Sequence, residues 1–336
     1  MRKAITMMLE EEPTFEIVGT ATNGEDAFKM VKTLKPDVVT LDIEMPGISG
    51  LEVLERIMKE IPTPVIMISS LSTEGAEETM KALELGAVDF IPKSLSYVSL
   101  DIVKIKDSLI EKIKSIASHG KSVLRKYKPQ GRKRPALKIN QENVGEKIRL
   151  VTIGISTGGP KALLDVIPLL PKDFPRPVMI VQHMPPKFTA SLAERLNKLS
   201  EVRVKEAEFG ETLQKGTVYI APGGQHMTLR RNGSKIEIVI SDKPSDSLYK
   251  PSVDVMLDSV VDIYGSQTLS VIMTGMGKDG LEGSRKIHEK KGKIISESEQ
   301  SCVVYGMPKA VVDAGIVDRV EDSDNIAEVI VDFVNQ

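Results

Sequence analysis

The sequence predicts an α/β protein built as two domains, and three observations carry that prediction. Short β-branched or apolar runs alternate with amphipathic stretches along both halves, the pattern of βαβ units and a parallel sheet. The length, 336 residues, suits two cores at about 150 residues each. A basic strip separates two acidic bodies: residues 1–118 carry 13 Lys and Arg against 20 Asp and Glu, residues 119–149 carry 10 against 2, and residues 150–336 carry 22 against 25. Within the strip, Lys128-Pro129-Gln130-Gly131 and Arg134-Pro135 interrupt any helix, so 119–147 reads as a solvated linker between domains at 1–118 and 148–336.

Composition removes several classes of function. No apolar run approaches the roughly 18 residues of a membrane helix, and the apolar start at Ala4 to Leu9 runs into Glu10-Glu11-Glu12, unlike a secretory leader. One cysteine, Cys302, precludes internal disulfides, and His119, His183, His226 and His288 are too dispersed for a short metal motif. The expected compartment is the cytoplasm. With no Trp and 4% aromatic residues, the basic strip lacks the stacking platforms of a nucleic-acid binder.

The front body opens with a helix over Met1 to Glu12, where Ile5, Met8 and Leu9 recur at helical spacing. Strands are expected at Phe15 to Val18, Asp37 to Leu41, Val65 to Ile68 and Ala87 to Ile91. Helices are expected at Gly24 to Leu34, Leu51 to Ile61 and Glu74 to Leu85. Asp42, Ser69 and Lys93 each follow a strand, which brings an acid, a hydroxyl and an ammonium to the carboxyl edge of the sheet. Lysine and hydroxyl there would bind the oxygens of a phosphorylated carboxylate.

These residues resemble a response-regulator receiver domain. The resemblance implies an incomplete flavodoxin-like fold in which Asp42 is the phospho-acceptor, Ser69 the switch hydroxyl, Phe90 the switch aromatic and Lys93 the signalling lysine. Receivers begin with a central strand ending in an acidic pair that holds Mg²⁺, and neither feature lies within this sequence. In addition, Pro92 precedes Lys93 where the family has a proline after it. The expectation is either a coding start upstream of Met1 or a receiver that orders poorly and is not phosphorylated.

In the rear body, Ile148 to Ile155 reads as a buried strand running into Ser156-Thr157-Gly158-Gly159-Pro160 and a helix over Lys161 to Leu170. Gly154-Ile155-Ser156-Thr157-Gly158 fits G-x-S-x-G, a tight strand-to-helix turn that exposes a serine beside free main-chain N–H groups. On these five residues alone, Ser156 as a simple helix cap stays open. A strand at Pro177 to Val181 delivers Gln182-His183, and a strand at Thr268 to Met273 delivers Thr274-Gly275-Met276-Gly277-Lys278-Asp279-Gly280 before a helix over Leu281 to Lys290. Serine, histidine and aspartate at three strand ends form a candidate nucleophile, base and orienting acid. Thr157 N–H and the Met276 turn are the candidate oxyanion donors. An α/β-hydrolase would need its histidine after the acid, and only His288, inside a helical pattern, is available. A dinucleotide site would want an acid where Gln182 and His183 stand.

Five blocks, Gly154 to Pro160, Gln182 to Pro186, Ile220 to Gly223, Thr274 to Gly280 and Cys302 to Pro308, resemble the catalytic domain of the chemotaxis protein-glutamate methylesterases, the CheB family. The resemblance spans the chain, receiver included. It implies a doubly wound, mostly parallel sheet with Ser156, His183 and Asp279 as the triad, assisted by Thr157 and Met276. The implied substrate is a γ-methyl glutamate ester of methyl-accepting chemoreceptors, with methanol released and some receptor glutamines deamidated. Catalysis would need no cofactor, Mg²⁺ would belong to a complete receiver, and a chemotaxis histidine kinase would be the phosphodonor. Pro222-Gly223-Gly224 reads as a turn before a hairpin, Cys302 and Tyr305 as supports of the cleft, and His226 and His119 as surface residues. The competing reading is a phosphorylation-dependent interaction protein whose rear domain only binds receptors.

Overall fold

The computed structural model describes residues 2–93, 106–107, 109–118, 137 and 147–336. Most of the basic strip, and His119 with it, lies outside the described residues. The chain divides into two compact units, Met1–Gly131 and Arg132–Gln336.

The first unit contains α1 (Arg2–Glu10), α2 (Gly24–Leu34), β1 (Val39–Asp42), α3 (Gly50–Glu60), β2 (Val65–Ser69), α4 (Thr73–Leu85) and β3 (Asp89–Pro92). Asn23, Ser49 and Ser72 begin α2, α3 and α4, each accepting a main-chain N–H through its side chain, and Glu52 completes a capping box with Ser49. The strands run parallel in the order β1-β2-β3, with Leu54, Ile57, Ile66, Met67 and Leu83 fully buried. The expected strand at Phe15 to Val18 does not form. A strand requires a ladder partner, and nothing among the described residues pairs with this segment or with the free edge of β1.

The second unit is a seven-stranded parallel sheet in the order β12-β11-β10-β4-β5-β7-β6 plus an antiparallel hairpin, β8 with β9. Its strands are β4 (Leu150–Ile155), β5 (Val178–Gln182), β6 (Arg203–Glu206), β7 (Thr217–Ile220), β8 (His226–Asn232), β9 (Lys235–Ser241), β10 (Thr268–Ile272), β11 (Lys293–Glu297) and β12 (Arg319–Glu321). The helices are α5 (Gly159–Val166), α6 (Phe188–Leu199), α7 (Val253–Tyr264), α8 (Leu281–Glu289), α9 (Met307–Asp313) and α10 (Ser323–Asn335). Every residue of β4, β5 and β10 is buried, which requires helices on both faces, as in a doubly wound sheet. The helix expected to continue to Leu170 ends at Val166, and a 3₁₀ turn holds Ile167–Leu169. Pro168, which has no N–H to donate, accounts for the break.

From β4 the chain moves outward to β5 and the edge strand β6, steps back in to β7, and after the hairpin returns across the sheet to β10, β11 and β12. The reversal falls between β4 and β10, so the crevice beyond their carboxyl ends is where an open α/β sheet binds ligands.

Candidate active site

Sheet register sets the site before any side chain is considered. Ile155 of β4 pairs with Gln182 of β5, and Gly154 pairs with Ile272 of β10. Ser156 and His183 therefore leave adjacent strands at the same level, with strands about 4.8 Å apart, and the loop after β10 borders Ser156 on the other side. His183 N–H donates to Ile155 O (3.2 Å), and Ser156 N–H donates to Thr274 O (2.9 Å). A Cβ on Gly275 would lie 2.8 Å from Ser156 Cβ, so only glycine lets the Met276 turn approach the serine this closely.

Ser156 is not a helix cap: α5 takes Gly158 at that position, with no side-chain bond. Its Oγ has no hydrogen bond among the described residues, while its carbonyl accepts from Gly159 N (2.8 Å) and Gln182 Nε2 (2.9 Å). The main-chain N–H groups of Thr157 and Met276 likewise have no acceptor among the described residues.

Asp279 is held from four sides. Oδ2 accepts from Val253 N (2.7 Å) and lies 2.8 Å from His183 Nε2, while Oδ1 accepts from Ser252 Oγ (2.9 Å) and Asp254 N (3.0 Å). Two of these donors are free amides at the start of α7, whose dipole favours an anion there. The helix reaches this close because Gly154 leaves room: a Cβ at Gly154 would meet Val253 Cγ1 at 2.5 Å. Asp279 thus serves α7 rather than capping α8, which begins on Gly280. Burial pushes its carboxyl up, but the bond and charge of His183 and the α7 amides outweigh burial and hold it below the usual value. Nearby, burial pushes the Asp254 carboxyl up to about 6, and the Asp279 charge adds to the rise.

An ionised carboxylate only accepts, so Nε2 of His183 carries a proton towards Asp279, and in the neutral imidazole Nδ1 is the nitrogen with the lone pair. That Nδ1 is buried without a partner among the described residues. The Tyr249 ring stacks on the imidazole at 4.4 Å between centroids, 7° from parallel.

Behind the serine turn lies a buried scaffold. Thr274 Oγ1 donates to Thr157 O (2.9 Å) and accepts from Val303 N (3.1 Å) and Val304 N (3.0 Å), while Glu297 accepts Thr274 N–H (2.8 Å). Cys302 is buried in this region, in keeping with support rather than reaction, and Gln225 N–H closes the expected turn on Pro222 O.

The family sequence models place the chain among known proteins. The one described as CheB methylesterase matches residues 151–330, and the one described as response regulator receiver domain matches residues 1–102. The chain belongs to the CheB methylesterase family. A protein-glutamate methylesterase/protein-glutamine glutaminase of Halalkalibacterium halodurans is 49% identical, over 98% of this chain and 94% of the relative. A second, from Nitratidesulfovibrio vulgaris, is 47% identical over 98% and 95%. The crystal structure of the Thermotoga maritima CheB methylesterase catalytic domain is 46% identical, with a TM-score of 0.54, covering 55% of this chain and 98% of that one.

In the receiver unit of this family member, Lys93 Nζ lies 2.7 Å from Asp42 Oδ1 and 2.8 Å from Glu44 Oε2. The two carboxylates raise the lysine pKa against the opposing effect of burial. Ser69 ends β2 on the same edge, yet its hydroxyl donates to Gly75 O (2.9 Å) rather than turning to Asp42, and Phe90 is buried in β3. Among the described residues no three His, Cys, Asp or Glu gather as metal ligands. No described helix is long and apolar enough to cross a membrane.

One expectation fails in an instructive way. His226 is fully buried rather than a surface residue, because Nδ1 finds Ser252 N–H and Nε2 finds Pro244 O, bonds that remove the cost of burying an imidazole. Tyr249 and Ser252 were not anticipated as site residues. Ser252 has a legible signal, a serine immediately before the amphipathic run from Val253. Tyr249 has none, since ring stacking across the fold leaves no mark on local sequence.

Proposed function

We propose that the chain is a serine hydrolase that removes methyl groups from γ-glutamyl methyl esters of chemoreceptors and deamidates receptor glutamines, with Ser156, His183 and Asp279 as its triad. The observation that carries this reading is the setting of His183: Nε2 lies on Asp279, Nδ1 is buried without a partner among the described residues, and the residue leaves β5 beside the end of β4 that carries Ser156.

Ser156 Oγ attacks the ester carbonyl carbon as Nδ1 of His183 takes its proton. Asp279 fixes the tautomer and stabilises the imidazolium. The carbonyl oxygen becomes an oxyanion, for which the N–H groups of Thr157 and Met276 are available. Collapse expels methanol, which takes the proton from Nδ1 and leaves a glutamyl ester on Ser156. Water, deprotonated by the same nitrogen, then releases the glutamate carboxylate; with a glutamine substrate the first leaving group is ammonia. The cycle uses no cofactor.

The receiver unit supports regulation by a chemotaxis histidine kinase, with Asp42 as acceptor and Lys93 as the cation beside it, in a protein acting in the cytoplasm. Nucleic acid and membrane insertion have no place in the scheme. Methanol release from methylated chemoreceptor tests the proposal against the binding-only reading. Ser156→Ala should abolish turnover with folding intact, and undiminished release by that variant would end the triad assignment.

A further inference from the structure

His226, on β8, stands directly behind the acid of the triad. It is completely buried, and both ring nitrogens are engaged: Nδ1 lies 3.2 Å from Ser252 N and Nε2 lies 3.2 Å from Pro244 O. A main-chain N–H can only donate and a carbonyl can only accept, so Nδ1 is the bare acceptor and Nε2 carries the proton. One neutral tautomer satisfies the site. Ser252 is held at both ends, its N–H on His226 and its Oγ on Asp279 Oδ1 at 2.9 Å, with Val255 N–H donating to the same hydroxyl at 3.4 Å.

We propose that His226 and Ser252 are a positioning pair for the reaction, His226 fixing Ser252 so that its hydroxyl sets the rotation of the Asp279 carboxylate. The inference rests on the triad reading above and extends it by one hydrogen-bonded layer. Val253 and Asp254 N–H belong to the first turn of α7 and donate one to each oxygen, so a modest rotation of the carboxylate can still satisfy both. Among the described residues Ser252 Oγ is the one side-chain donor to Asp279 other than His183, and its position depends on where the Ser252 main chain is anchored. Removing the acceptor at Nδ1 leaves a buried N–H without a partner. The Ser252 backbone then moves to find another, carrying Oγ off Asp279. The carboxylate turns, and the plane of His183 turns with it. Ground-state substrate contacts are untouched, so the loss should fall on kcat rather than KM.

The test is methanol release from methylated chemoreceptor by the full chain carrying His226→Leu, His226→Asn, Ser252→Ala, or the pair His226→Leu with Ser252→Ala. Asparagine places an oxygen near the position of Nδ1 and keeps the acceptor. Misplacement of the orienting acid should lower kcat roughly 10- to 100-fold in His226→Leu, with KM changed less than about twofold. His226→Asn should recover most of the loss, and the paired variant should be within about threefold of Ser252→Ala alone, because both changes break one chain of bonds. Equal losses in the leucine and asparagine variants, multiplication of the two single losses, or a change confined to KM would each overturn the pair. If His226→Leu does not fold, the asparagine variant decides: it must fold and retain kcat within about tenfold of the parent. Ser156→Ala and His183→Ala run beside these; full activity in them would remove the triad itself, a separate failure.

Discussion

Replacing Asp279 by asparagine probes the site most directly, because the geometry leaves the amide no good orientation. With nitrogen in the place of Oδ2, the NH₂ donates to Nε2 of His183, forces the imidazole proton onto Nδ1 and caps the base, while Val253 N–H loses its acceptor. With nitrogen in the place of Oδ1, the remaining oxygen still serves Nε2, but Asp254 N–H faces another donor and the imidazolium loses its counter-charge. The first orientation stops proton abstraction and the second weakens it. Asp-to-Asn exchange in a triad costs about 10⁴ in kcat, so a loss of about 10³- to 10⁴-fold is expected, roughly 4 to 5.5 kcal/mol of barrier. One unmatched buried N–H adds about 1–3 kcal/mol of lost stability. The carboxyl is held below its usual value, so it contributes stability at neutral pH that disappears as pH falls through that depressed value. The variant should lack that part of the acid slope. Methanol release and denaturation followed against pH read both effects. A variant within threefold of the parent in kcat, with unaltered acid slope, would refute the assignment of Asp279.

Two further changes test its surroundings. Thr274→Val keeps the side-chain shape but strands Val303 N–H, Val304 N–H and Thr157 O, so about 3 kcal/mol or more of stability should go, together with turnover. Thr274→Ser should retain most of both, and equal behaviour of the two in a melting and activity comparison would show the hydroxyl to be dispensable. Asp254→Asn should stabilise the protein at about pH 8 and do little at about pH 4, because a carboxyl pushed up to about 6 costs stability only as pH rises towards and past that value. Discounted for partial exposure, the gain is about 1 kcal/mol, and a melting temperature raised equally at both pH values would contradict it.

Much of this protein was legible from the order of its residues. Apolar runs at 65–68, 148–155 and 268–273, each followed by a chemically distinctive residue, place Ser69, Ser156 and Thr274 at strand ends, because side-chain period and breaker residues are local properties that packing then confirms. Two of the family blocks, Gly154 to Pro160 and Thr274 to Gly280, fall on the second and third of those ends. The expected strand at Phe15 to Val18 had the right local composition and still did not form, since a ladder needs a partner that propensity cannot supply.

What only the tertiary structure decided lies across the fold. Which nitrogen of His183 faces the acid, the burial of His226 behind Ser252, the stacking of Tyr249 and the meeting of Asp279 with the first turn of α7 all depend on segments far apart in sequence. Local pattern tells a residue whether it ends a strand or starts a helix. It does not tell the side chain which distant donor will be waiting, because that depends on how closely two backbones approach, here on the absence of a single Cβ at Gly154.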